Sequence, residues 1–267
     1  MNKSAILSLS LSALLSCAGL AAAKTETVYI MDEKYIVTIP EKTATDIPSV
    51  YLRKLAPGGD SSVPTDSNVP EAVKTQLAQD LQFISSIQGS GATKLHQQIY
   101  GMVQGSNYYN FFVSRVKSIG LDSHMTGNAV AYVSPMMDSS KMWLTNNYIK
   151  FSHPQIARLM VVFHEARHTE DGNGNWHHAT CPTPFELDGK EVLSIWTGST
   201  LAGEPACDST PFGSYGSSTI MLRNIQKYCT NCTGKVKEDA GLYSQDQLKR
   251  VTNPKATAQM MEDLYKD

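Results

Sequence analysis

One stretch, residues 152–172, constrains the fold more than any other, because it has the marks of a long helix with one buried face. Ser152 and Gln155 fit a capping box, and Pro154 stands in the first turn, where its missing N–H costs little. Gly172 is a candidate C-cap. Apolar residues recur between these ends at helical spacing: Ile156, Leu159, Met160 and Phe163. A chain of 267 residues is long enough to bury such a helix in one sizeable core.

The segment His164-Glu165-Ala166-Arg167-His168 falls in the last turns of this predicted helix. Residues four apart lie on one helical face, so His164 and His168 can direct imidazole nitrogens at one metal ion. Glu165 stands beside them, where its carboxylate can take a proton from a metal-activated water and pass it to a leaving amine. The spacing favours a catalytic metal site over two alternatives, which are a pair of surface histidines and an inert structural zinc site.

A catalytic zinc ion needs a third protein ligand, and the loop after the helix offers three candidates. His178 is preferred, because it follows a Gly-rich loop and precedes Cys181, whose disulfide would hold that loop in place. His177 is the next candidate. Asp171, seven residues after His164, is either a ligand or a partner that orients a histidine.

Three more residues are candidates for the surroundings of the metal. Tyr215 lies in a Gly-flanked loop that permits close approach, where its hydroxyl would stabilise an oxyanion; the alternative is a tyrosine packed on the domain surface. Arg167 is expected to pair with Asp171 or Asp208. Asp208 could equally orient His168.

With these residues the chain resembles the zincin metallopeptidases, over residues 129–216. The resemblance implies a zinc ion on His164 and His168, a protein or peptide substrate, and a strand at 142–151 that pairs with an extended substrate. The metzincin pattern HExxHxxGxxH fails at Asp171 and Gly174. The expected layout is therefore metzincin-like, with a longer loop that ends at the third ligand. The Glu ligand of the gluzincin branch would fall on Glu186 or Glu191, but Pro182 and Pro184 argue against a helix that reaches Glu186.

The N-terminus predicts export, because residues 1–23 have the pattern of a signal peptide. Lys3 precedes an apolar run at 5–15, and three alanines at 21–23 fit a cleavage site. An alternative is a lipid anchor on Cys17, since Leu14-Leu15-Ser16-Cys17 resembles a bacterial lipobox. No later segment has the pattern of a transmembrane helix. The expected location is periplasmic or secreted, or on the outer membrane as a lipoprotein. The His178, Cys181-Pro182 and Cys207-Asp208 segments are also similar to those of a group of exported bacterial proteins with HEARH.

Four further cysteines, an even number in an exported chain, predict two disulfides. They are Cys181, Cys207, Cys229 and Cys232. Three pairings are possible, and the sequence leaves all three open. A redox motif or half of a zinc site is the alternative for the CxxC at 229–232, but no second CxxC accompanies it.

The remaining patterns predict an α+β fold with a mainly helical body, a small sheet and a disulfide-stapled, loop-rich C-terminal half. Residues 24–56 are predicted as an N-terminal β-hairpin segment, with strands at 27–31 and 34–39. Residues 57–70 indicate an exposed linker, or the end of a removable pro-segment. Residues 71–267 form the predicted catalytic domain. Helices are expected at about 71–87, 93–103, 107–119, 217–228, 244–251 and 255–265, and strands at 129–133 and 142–151.

Together these features predict a monomeric, exported zinc metallopeptidase. Two alternatives remain: a zinc-dependent cell-wall (peptidoglycan) hydrolase, and a non-catalytic, disulfide-stapled envelope protein. A net charge of −2 without a basic stripe gives no support to a nucleic-acid partner.

Overall fold

A computed structural model describes residues 24–30, 33–39 and 63–266, except 126, 151–152, 171–174 and 176. The chain divides into two compact units, residues 1–59 and 60–267. Several predicted features lie outside the described residues: the signal peptide, Cys17, residues 57–62 of the linker, Ser152, Asp171 and Gly172.

The first unit contains a β-hairpin, as predicted. Strand β1 (Lys24–Ile30) pairs antiparallel with β2 (Glu33–Ile39), with Thr27 opposite Ile36. The first strand begins three residues before the predicted position, because Lys24 is paired with Ile39 and Thr25 with Thr38.

The second unit has a mainly helical body and a three-stranded sheet, so the predicted mixture of helices and small sheets is confirmed. Within the described residues the longer helices are α1 (Glu71–Ser85), α2 (Lys94–Tyr100), α3 (Gly105–Arg115), α6 (Gln155–His168), α7 (Ser214–Tyr228), α8 (Gly234–Leu248) and α9 (Pro254–Tyr265). Two short helices, α4 (Pro135–Asp138) and α5 (Asn146–Lys150), flank the last strand of the sheet. None of the helices in the described ranges is long and apolar enough to cross a bilayer.

The sheet has the order β3–β5–β4, formed by β3 (Ser118–Asp122), β4 (Ala131–Ser134) and β5 (Ser139–Thr145). Strand β5 lies in the centre, parallel to β3 and antiparallel to β4. The prediction that the 142–151 strand pairs with a substrate is therefore wrong, because both of its edges are already paired. The predicted helix at 107–119 also ends early, since Ile119 is buried in β3 opposite Met142.

Residues 63–70, predicted as part of an exposed linker, belong to the second unit. The Asp66 N–H donates to the Ile119 carbonyl at 2.9 Å, and the Ile119 N–H donates to the Pro64 carbonyl at 2.9 Å. Val69 is buried in the core, and the Asp66 carboxylate pairs with Lys141 at 2.7 Å. Backbone pairing with β3 thus overrides the loop-like composition of this stretch.

Helix α6 is enclosed by the rest of the second unit. Phe163 is fully buried among the rings of Tyr100, Tyr108, Phe111 and Phe112. The helix begins after Pro154, which makes no side-chain cap, and ends at His168, earlier than predicted.

The predicted capping role of Gln155 is wrong, because a buried carboxylate in α1 attracts its side chain. The Gln155 amide donates to Asp80 at 3.0 Å, beside the ion pair of Asp80 with Arg158 at 2.7 Å. This polar contact fixes the start of α6 against α1.

The C-terminal half contains the two predicted disulfides, Cys181–Cys207 and Cys229–Cys232. The first ties two loops together, and the second follows the end of α7. Between the first pair lies a small hairpin of β6 (Glu186–Leu187) and β7 (Lys190–Glu191), whose four residues are exposed.

The buried side chain of His96 makes the stability of the fold depend on pH. Burial lowers the pKa of His96 to about 4 from 6.5, and its ring nitrogens contact the Gly101 carbonyl and the Tyr108 hydroxyl, each at 2.8 Å. The unfolded chain therefore binds a proton between pH 6.5 and 4 that the folded chain excludes, so stability falls as pH falls through this window.

We expect His96→Gln to remove this dependence. The quantity of interest is the free energy of unfolding of the wild type minus that of the variant. This difference should be constant above pH 7 and should be about 3 kcal/mol smaller at pH 4. Urea unfolding of the metal-free proteins at stepwise pH measures the difference. Parallel pH profiles for the two proteins would contradict the assignment.

Candidate metal centre

The last turns of α6 present two imidazoles to one point, as predicted from their spacing. The Nε2 atoms of His164 and His168 lie 3.2 Å apart, and both side chains are buried. Because the helix is packed on all sides, these rings are held on a rigid part of the fold.

His178 completes a triangle with these two histidines. Its Nε2 atom lies 3.1 Å from Nε2 of His164 and 3.1 Å from Nε2 of His168. A zinc ion with tetrahedral geometry lies about 2.0–2.1 Å from each ligand nitrogen, which places two such nitrogens about 3.3–3.4 Å from each other. The triangle therefore has nearly the size that a zinc ion requires. Among the described residues these three histidines form a group able to hold a metal ion.

The hydrogen bonds on the far side of two rings determine which nitrogens carry protons. Nδ1 of His168 lies 2.7 Å from the Asn175 carbonyl, and Nδ1 of His178 lies 3.0 Å from the Asp208 carboxylate. Both partners only accept, so Nδ1 must donate in each ring. A neutral imidazole has one N–H, so both Nε2 atoms carry lone pairs.

These two lone pairs lie 3.1 Å apart and repel each other unless a proton or a cation stands between them. A proton on either helical ring is disfavoured, because burial lowers the pKa of His168 to about 3 and lowers the pKa of His164 well below its usual value. A metal cation therefore fits the site.

Asp208 connects His178 to the rest of the site. It is buried, and its Oδ2 atom accepts hydrogen bonds from the backbone N–H groups of Tyr215 and Gly216 at 2.7 and 3.1 Å. A carboxylate is favoured at a helix N-terminus, here that of α7. Gly213 permits this approach, since a Cβ there would lie 2.3 Å from Oδ2. The partner of Asp208 is thus His178, in place of the predicted His168 or Arg167.

The loop that carries His178 is attached to the Asp208 loop in two ways. Ala179 and Cys207 exchange backbone hydrogen bonds at 2.7 and 3.0 Å, and Cys181 is bonded to Cys207. The disulfide therefore lies three residues after His178 and one residue before Asp208, where it holds the ligand and its partner together.

Glu165 is a buried carboxylate beside the three histidines. It is 5% exposed, and its Oε2 atom is buried without a hydrogen-bond partner in the described structure. Burial raises its pKa to about 8. A cation nearby would counter this effect by favouring the ionised form.

Tyr215 packs directly on the histidines. Its ring centroid lies 4.4 Å from that of His164 and 4.5 Å from that of His178, and its hydroxyl accepts a hydrogen bond from Arg250 at 2.9 Å. It is the second residue of α7, although the sequence indicated a loop. Burial raises the pKa of its phenol, and the Arg250 charge opposes that rise.

The site opens into a cavity of about 660 Å³. Edge strand β4 lines one side, and the 194–206 segment lines another. Trp196, Met160 and Val161 contribute apolar surface. The three histidines, Glu165, Tyr215 and Arg250 all reach this cavity.

Other predicted site residues lie elsewhere. His177 is exposed and is not in the histidine group, while Asp171 falls outside the described residues. Arg167 pairs with Glu170 at 2.7 Å, a partner that the sequence analysis missed. Burial alone would raise the pKa of the Glu170 carboxyl, but the charges of Arg167 and Arg115 hold that pKa below its usual value.

Glu170 also acts on the site through a neighbouring loop residue. It accepts a hydrogen bond from the Asn175 side chain at 3.0 Å, and the Asn175 carbonyl orients His168. Arg250 also lines the site, although no local sequence pattern relates it to the histidines.

Comparisons with known proteins found no match: no family model, no curated protein and no solved structure matches this chain.

The two disulfides should differ in their effect on metal binding. Replacing Cys181 and Cys207 by Ala frees the loop that carries His178, so we expect zinc affinity to fall about 10- to 100-fold. The matched control replaces Cys229 and Cys232, which follow the far end of α7, about 20 Å along the helix from Tyr215.

The control variant should keep its zinc affinity within about threefold, since none of its replaced residues touches the site. Competition with a chromophoric chelator measures both affinities. Equal losses in the two variants would show that the Cys181–Cys207 bond has no particular role in holding His178.

Proposed function

We propose that this chain is an exported zinc-dependent peptidase of zincin type, with His164, His168 and His178 as the ligands. The observation that carries the proposal is the triangle of Nε2 atoms 3.1–3.2 Å apart, two of which must carry lone pairs. Three neutral imidazoles with an open position are the ligand set of several catalytic zinc sites. The hydrogen bonds of His168 and His178 to a carbonyl and a carboxylate match the usual partners of zinc-bound histidines.

The chemistry divides between the metal and the chain. A bound zinc ion supplies Lewis acidity, which polarises a scissile carbonyl and lowers the pKa of a water molecule toward neutrality. Glu165 then acts as the general base: its free Oε2 atom accepts a proton from the attacking water. The same carboxyl group returns that proton to the leaving amine, whose departure breaks the peptide bond.

Tyr215 is placed to stabilise negative charge on the reacting carbonyl oxygen. Its hydroxyl oxygen accepts a hydrogen bond from Arg250, so its own proton remains available for donation into the cavity. Arg250 increases the acidity of the phenol and strengthens that donation.

An extended substrate would lie along β4. Residues 131–133 of this strand pair with β5, Ser134 forms a bridge with Asp138 just before β5, and the strand lines the cavity next to Glu165. Its other edge can bond a peptide backbone by strand addition. A polypeptide substrate is therefore favoured over a compact small molecule.

Export is part of the proposal, because the disulfide that holds His178 requires an oxidising compartment.

The decisive test is Glu165→Gln. The variant should still bind about one zinc ion per chain, because the three histidines are unchanged. Its kcat/KM should fall about 10²- to 10⁴-fold, because the amide cannot accept the proton. Zinc content by atomic emission and hydrolysis of a fluorogenic peptide library measure the two effects.

Two further variants serve as controls. Glu191→Gln changes an exposed glutamate of the β6–β7 hairpin and should alter neither measurement. His178→Ala should lose both zinc and activity. A wild-type chain that folds without binding zinc, or a Glu165→Gln protein with full activity, would refute the proposal.

A further inference from the structure

Arg250 is a buried cation that forms no direct ion pair with any of the described residues. Its side chain is 5% exposed. One hydrogen bond, from Nη1 to the Tyr215 hydroxyl, uses one of five N–H donors, and Nε is buried without a partner. Burial raises the pKa of the nearby Asp246 carboxyl, and the Arg250 charge opposes that rise. Asp246 accepts from the Gln247 amide at 2.9 Å and makes no direct ion pair with Arg250. A buried guanidinium left in this state is costly unless an anion binds to it.

Arg250 lies close to the candidate metal centre. Its guanidinium carbon lies 4.6 Å from the centroid of the Tyr215 ring, and that ring lies 4.4 Å from the ring of His164. Among the described residues that line the cavity, Arg250 is the one lysine or arginine. One tyrosine ring thus separates the cation from the metal ligands.

The backbone fixes this position. The Arg250 carbonyl accepts a hydrogen bond from the Asp208 N–H at 2.8 Å, and the Arg250 N–H donates to the Gln247 carbonyl at 3.1 Å. Since the Asp208 side chain holds His178, the cation and a metal ligand share one anchor. Arg250 therefore has the fixed geometry of a recognition group.

We propose that Arg250 binds a carboxylate of the substrate beside the scissile bond and makes the site selective for substrates with that group. The proposal rests on the proposed function. The charge count supports it, because a single guanidinium balances one carboxylate, while a phosphate dianion would remain half neutralised. The carboxylate belongs either to the C-terminus of a peptide or to an acidic side chain.

A binding experiment on the metal-free protein tests the proposal without hydrolysis. Three probes are titrated and followed by NMR: N-acetyl-L-alanine with a terminal carboxylate, N-acetyl-L-aspartic acid α-amide with a side-chain carboxylate, and N-acetyl-L-alaninamide with neither. At least one acid should bind about 10- to 100-fold more tightly than the neutral amide. The tighter acid identifies the source of the carboxylate.

Variants test whether Arg250 causes the preference. Arg250→Gln should abolish it, and Arg250→Lys should retain part of it, because lysine keeps the charge but loses the planar fork. Arg223→Gln is the matched control, since Arg223 also stacks on a tyrosine, Tyr265 at 4.3 Å, but does not line the cavity. Equal binding of acids and amide to the wild-type protein would overturn the proposal even if the Arg250→Gln protein failed to fold.

Hydrolysis by the zinc-loaded enzyme gives a second readout. Wild-type kcat/KM should favour the carboxylate form of a peptide over its amidated form by about 10- to 100-fold, and Arg250→Gln should remove this ratio. If the variant slows both forms equally, Arg250 acts only through Tyr215, and the proposal is wrong. Failure of the zinc-loaded protein to cleave any peptide would refute the proposed function, while the metal-free titration would still decide the role of Arg250.

Discussion

The geometry of the candidate metal centre depends on the hydrogen bonds of the Asp208 carboxylate. One oxygen orients His178, and the other accepts two N–H groups at the start of α7, where Tyr215 begins its contact with the histidines. The Asp208 backbone also pairs with the Arg250 and Thr252 backbones. A buried charge is stable only with such partners, so a helix N-terminus and an imidazole N–H together compensate it. Three parts of the chain therefore meet at this residue: the loop with His178, the segment from Asp208 to the start of α7, and residues 250–252.

Helix α6 gives the site its rigidity. Its apolar residues occupy the core, and the packing of Phe163 among four aromatic rings leaves little freedom at the turn that carries His164. The same burial surrounds Glu165 and disfavours its charged form. The fold thus accepts an unsatisfied carboxylate at the place where the proposed chemistry requires a base, a local cost that is common at functional sites.

The parts predictable from the sequence were those encoded locally. Helix α6 follows from apolar spacing, the direction of His164 and His168 from their separation of four, and the existence of disulfides from the cysteine count. The proximity of His178 followed from the Gly-rich loop after the helix and from the nearby Cys181. Sequence reasoning does not resolve competition between distant partners. Asp80 draws Gln155 away from a cap, and Thr65 pairs with Ile119 in place of a free linker.

Contacts between residues far apart in the sequence were the least predictable. Asp208 and His178 are 30 positions apart, and Arg250 and Tyr215 are 35 apart. No periodicity connects such pairs, because the turns and helix packing between them determine whether they meet. In the sequence, Arg250 stands next to Lys249 and four residues after Asp246, a pattern that is equally consistent with a solvated surface position. Burial in the fold is what distinguishes Arg250.

The disulfide between Cys181 and Cys207 makes the assembly of the three histidines depend on when and where the chain is oxidised. Cytosolic thiols stay reduced, so a chain still inside the cell would lack the link that fixes the third histidine beside the first two. Its two helical histidines would be in place, but they would form only a weak, incomplete chelate. If the chain is the proposed hydrolase, oxidation of this cysteine pair would complete its active site only outside the reducing compartment in which the chain is made.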